Sequence, residues 1–177
     1  MSLPIGCVRC HGCEFEGWLQ RRSITLRYQL SDANFVDSHR VSGWCDHCEG
    51  IRDIEAPLDT AAIRAEIERH QPQRGGLGGI VKTAINRILG GRIDENRADL
   101  TRLRHLLQIA EMRNSPPRCL TCGEASTTQL NFDASGTSSN YVHTCGSHLY
   151  VMPENPDAPR FSFSPQVILL DPEGHRR

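Results

Sequence analysis

Cysteine spacing constrains this chain more than any other feature. Cys7, Cys10 and Cys13 form a C-x2-C-x2-C run, Cys45 and Cys48 a C-x2-C turn, and Cys119 and Cys122 another. Cys145 opens a C-x2-H with His148. All eight cysteines lie in these clusters, and seventy residues without one separate Cys48 from Cys119. Two residues between thiols let the chain turn so that both sulfurs face one point, while N–H groups of the turn donate to them. Each turn is therefore half of a tetrahedral metal site, and four half-sites make two sites. Disulfides do not explain the count, since a reducing cytosol seldom keeps them. A redox C-x-x-C belongs at a helix start inside a βαβ unit, a pattern absent here.

Sequential pairing is the simplest expectation. It gives Cys10, Cys13, Cys45 and Cys48 to one metal and Cys119, Cys122, Cys145 and His148 to the other. One cysteine of the first run is then spare. Cys10 with Cys13 is preferred, because Phe15-Glu16-Gly17 leads directly into a strand; Cys7 with Cys10 is the alternative. Thiolate-rich sets of this kind point to Zn2+, two per chain, with rubredoxin-like iron as the redox alternative.

The segments around these turns read as α+β. Residues 1–56 are expected to be all-β: Ile24 to Leu30 alternates apolar and polar residues, Ser31 to Asn34 is a turn, and Phe35 to Trp44 returns to deliver Cys45. Residues 57–115 change to a helical period. Asp59-Thr60 can cap a helix to about His70, Ile80 to Leu89 reads as a second helix stopped by Gly90-Gly91, and a third starts near Asp94. Its apolar stripe is Leu100, Leu103, Leu107 and Ala110. Residues 116–177 return to β, with strands at Thr127–Phe132 and Tyr141–Thr144, a proline-rich loop from Pro153 to Pro159, and a last strand at Phe161–Leu170.

Cys10-His11-Gly12-Cys13-Glu14-Phe15-Glu16-Gly17 looks like a zinc-ribbon knuckle, and Arg118-Cys119-Leu120-Thr121-Cys122-Gly123 is a closer match. The chain thus resembles the zinc-ribbon superfamily, and in particular bacterial proteins with a zinc ribbon at each end and helices between. The resemblance covers roughly residues 7–50 and 118–150. It implies structural metal binding and a small module that grips protein or nucleic acid, and it implies no reaction.

Charge limits the partner. Twenty basic and twenty-one acidic residues leave a net charge of −1, which excludes a globally basic nucleic-acid binder. Residues 59–118 alone carry eleven basic and seven acidic residues. Arginines such as Arg97, Arg102 and Arg104 could face phosphates, although a solvated helix face explains them as well. A protein partner is the leading expectation and nucleic acid the alternative.

Gly76 to Thr83 nearly fits a phosphate loop but has Val81 where the second glycine is required. His143, two residues before Cys145, is assigned no role, and Trp18 and Trp44 are expected in the core. No catalytic motif stands out, so the chain reads as a non-enzymatic binding module. No stretch approaches eighteen apolar residues and no secretory signal opens the sequence, so a cytoplasmic, non-membrane protein is expected.

Overall fold

The computed structural model describes residues 2–3, 6–19, 24–70, 92–152, 161–162 and 166–177. The expected Ile80–Leu89 helix, its Gly90-Gly91 stop, the Gly76–Thr83 stretch and the Pro153–Pro159 loop lie outside them. The fold is α+β with strands dominant. Among the described residues the strands are β1 (Ser2–Leu3), β2 (Gly6–Cys10), β3 (Glu16–Leu19), β4 (Ile24–Ser31), β5 (Asn34–Ser38) and β6 (Arg40–Cys45). They continue with β7 (Gly50–Glu55), β8 (Thr127–Gln129), β9 (Thr137–Val142), β10 (His148–Val151), β11 (Phe161–Ser162) and β12 (Gln166–Leu170). The helices are α1 (Thr60–His70) and α2 (Arg92–Met112).

The chain divides into two compact units, Met1–Pro57 with Ser115–Arg177, and Leu58–Asn114. The sequence reading drew boundaries at 1–56, 57–115 and 116–177; in the structure the two ends share one unit and the same sheets. The reason is strand pairing. β10 lies antiparallel on β2, with Leu149 opposite Cys10 and Val151 opposite Val8, in a sheet ordered β3-β2-β10-β9. β8 pairs with β6 in a second sheet ordered β7-β6-β8, with Cys45 opposite Thr127. β12 runs parallel to β4 in a third, ordered β12-β4-β5. A short β1–β11 pair completes the strands.

The alternation in β4 works as its residues dictate. Leu26 and Tyr28 are fully buried, while Thr25 and Arg27 point the other way. The Tyr28 hydroxyl donates to Glu55 at 2.8 Å, and the Arg118 backbone N–H donates to the same carboxylate at 2.7 Å. Glu55 is fully buried, so these donors offset the cost of keeping a carboxyl group from water. The core behind the first sheet gathers Val8, Cys10, Trp44, Ile51, Leu130 and Leu149. Trp44 is buried as expected, whereas Trp18 is 51% exposed, because β3 turns that position outward.

The second unit is a helix pair. The Asp59 carboxylate accepts from the N–H groups of Ala61 at 2.8 Å and Ala62 at 3.1 Å, an N-cap that starts α1. α1 buries Ile67, and α2 buries Leu103, Leu106 and Ile109. The stripe on α2 is thus rotated from the expected Leu100, Leu103, Leu107 and Ala110, of which only Leu103 is buried. An Arg64–Glu111 ion pair at 2.6 Å links the two helices.

Candidate metal centres

Two groups of metal-ligating side chains converge in the first unit. Cys10, Cys13, His143 and Cys145 form one; Cys45, Cys48, Cys119 and Cys122 form the other. Within each group the ligand atoms all lie within 4.8 Å of one another.

The first group sits where two turns meet at one end of the β3-β2-β10-β9 sheet. Cys10 ends β2, and Cys13 follows in the turn toward β3. His143 and Cys145 occupy the turn between β9 and β10, and the His11 N–H donates to the His148 carbonyl at 3.1 Å to tie the turns together. The Gly12 N–H points at Cys10 Sγ at 3.4 Å, and the N–H groups of Phe15 and Ser147 serve Cys13 and Cys145. Gly12 is also a point of close approach, since a Cβ there would lie 2.1 Å from Ser147 Oγ. Phe15 and Trp44 flank the His143 ring, with centroids at 4.9 and 5.2 Å, and fix its orientation.

The second group is built from the β6–β7 turn and the loop before β8. Cys45 ends β6 and Cys48 lies in the turn, while Cys119 bridges to Ile54 of β7. The Thr121 N–H points at Cys119 Sγ at 3.4 Å. Gly123 takes φ +81°, a left-handed conformation that closes the turn after Cys122, and Gly146 does the same after Cys145 at φ +86°. Cys45 and Cys119 are buried; in the first group Cys13 and Cys145 are exposed.

The donor sets fit a tetrahedral ion. Metal–sulfur bonds of about 2.3 Å in a tetrahedron place sulfurs about 3.8 Å apart. Cys45 and Cys122 sulfurs lie 3.6 Å apart, Cys48 and Cys119 4.0 Å, and Cys10 and Cys145 3.3 Å. His143 Nδ1 is 3.5 Å from Cys13 Sγ and 3.4 Å from Cys145 Sγ. A disulfide needs about 2.05 Å, and all eight cysteines are free. As free thiols the two groups differ. The His143 hydrogen bond, aided by Cys10 and the Ser147 N–H, holds Cys145 down to about 6. Burial pushes Cys45 up to about 12, against the pull of the Cys48 N–H. Cys145 therefore reaches its thiolate form more readily than Cys45.

Against the sequence expectation, the half-sites are nested rather than sequential. The first run meets the last turn, and the two middle turns meet each other. Strand order imposes this: β10 lies beside β2, and β8 beside β6. Cys10 and Cys13 both belong to the first group, and Cys7 lies outside both. His148 also lies outside, because it opens β10 opposite Val142 with its side chain exposed. His143, missed by the sequence reading, stands in its place at the tip of the β9–β10 turn. The signal available was an H-x-C spacing, which marks a ligand only if the strand has already ended at Val142. No protein-family model, no curated protein and no solved structure matches the chain, so the converging side chains themselves carry the functional argument.

Proposed function

We propose that the chain holds two structural Zn2+ ions, one in each group, and serves as a non-enzymatic module that binds a partner protein. The observation that carries this is closure. Each group supplies four ligand atoms from two turns, and four protein ligands fill a tetrahedral zinc, leaving no position for water or substrate. Sets of four sulfurs, or three sulfurs with one imidazole, suit zinc among the common ions. In each group the two turns are far apart in sequence, so the ion closes a long loop and its binding energy becomes folding energy.

The surface favours a protein over nucleic acid. Net charge is −1. The outward face of the β12-β4-β5 sheet carries Phe35, Val167 and Leu169 as exposed apolar residues around the Arg27–Asp37 ion pair. Elemental analysis of untagged protein should find two zinc ions per chain and a colourless solution; a red iron protein would replace this reading with the rubredoxin-like one. Duplex DNA binding at micromolar concentration in about 150 mM salt would overturn the protein preference, and none at about 50 mM disposes of the nucleic-acid alternative. A partner captured by the zinc-loaded chain should be lost from the Val167→Asp/Leu169→Asp variant with both ions retained.

A further inference from the structure

One cleft of the first unit takes no part in either metal group. Its volume is about 370 Å3, and Trp18, Ile51, Ile168, Arg52, Asp53 and Arg176 are among its lining residues. We propose that this cleft binds a small organic anion, a carboxylate held by Arg52 and Arg176 with a flat apolar body against Trp18.

The charge count points to an anion. A guanidinium has five N–H donors. Arg52 gives one to its neighbour's carbonyl, Ile51 O, at 2.8 Å, and Arg176 gives one to Leu120 O at 3.2 Å. Among the described residues neither is paired with a carboxylate. Asp53, the acid in the wall, is engaged by Arg40 in a pair whose side chains are only 11% and 13% exposed, so its charge is already matched. Two cations in a concave, partly apolar wall concentrate positive potential there. The carbonyl bonds also hold both side chains in place before a ligand arrives, which lowers the ordering cost of binding. Trp18 supplies an open aromatic face, and the volume falls in the range of small-molecule sites.

A rival role exists for the two arginines. Thr121, within the Cys119–Cys122 turn, lines the same cleft. A zinc tetrathiolate is dianionic, and the guanidiniums could offset that charge instead. The test separates the two. The chain has two tryptophans and hence two indole N–H signals. Titrating the zinc-loaded full chain with 2-naphthoate should shift the Trp18 signal, assigned with Trp18→Phe, and leave buried Trp44 unmoved. A Kd of about 1 mM is expected for so small a probe. Naphthalene-2-carboxamide, with the same shape and no charge, should bind about tenfold more weakly, and Arg52→Gln and Arg176→Gln should each weaken naphthoate about tenfold with both zinc ions retained. Equal binding of the amide would overturn the proposal, as would a Trp18 signal that stays put at about 10 mM probe. Arginine variants that release zinc from the tetracysteine group yet bind naphthoate normally would assign the guanidiniums to the thiolates and also overturn it.

Discussion

Nested and sequential ligand sets give opposite zinc counts in pairs of cysteine variants. Cys48 and Cys122 belong to one group, with Cys48 4.0 Å from Cys119 and Cys122 3.6 Å from Cys45. Serine at either position removes one thiolate from a single ion, so each variant should fall from two zinc ions to one. The Cys48→Ser/Cys122→Ser double variant should also keep one, held by Cys10, Cys13, His143 and Cys145. Cys13→Ser/Cys48→Ser should keep none. Sequential pairing reverses this, leaving none in the Cys48/Cys122 double and one in a Cys13/Cys48 double. The energetics follow the same logic. A structural zinc supplies about 10–16 kcal/mol in small peptides, comparable with the about 5–15 kcal/mol that holds a whole domain. The first serine therefore removes nearly all the metal-linked stability of its group, and the second adds little. Non-additivity should be close to the full effect of one single variant, against the few tenths of a kcal/mol typical of independent sites. Elemental analysis after desalting against a chelator reads the count, and denaturant melts read the coupling. A Cys48/Cys122 double variant free of zinc would refute the nested grouping.

Further expectations concern individual contacts. His143→Ala should release one zinc ion while His148→Ala keeps both, read by metal content; the opposite pattern would restore His148 as a ligand. Release to a colorimetric chelator should be biphasic, the fast phase coming from the group with exposed Cys13 and Cys145, and Cys13→Ser should abolish that phase alone. Gly12→Ala should weaken the same group, since the new methyl meets Ser147 Oγ at 2.1 Å and Cβ at 2.8 Å; Ser147→Gly should restore metal affinity in that background. Tyr28→Phe removes a 2.8 Å donor from buried Glu55 and should cost about 1.5–3 kcal/mol in a denaturant melt, with zinc content unchanged. A loss under about 0.5 kcal/mol would mean that the remaining donors satisfy the carboxylate.

Local chemistry made part of this protein legible in its sequence. The C-x2-C turns announce themselves because two intervening residues are what a pair of sulfurs needs to face one ion, and Gly123 marks the left-handed close of one of them. Asp59 caps α1 and the alternation of Ile24 to Leu30 forms β4, since capping and side-chain alternation depend only on near neighbours. Which turn meets which was decided elsewhere. Placing β10 on β2 and β8 on β6 depends on pairings more than eighty residues apart in sequence, and no local period encodes them. That same pairing opened β10 at His148 and turned its side chain outward, leaving His143 at the tip to join three cysteines. The rotated stripe on α2 and the exposure of Trp18 have a similar origin. A helix or strand has an apolar side by sequence, but the neighbour it packs against selects which residues of that side are buried.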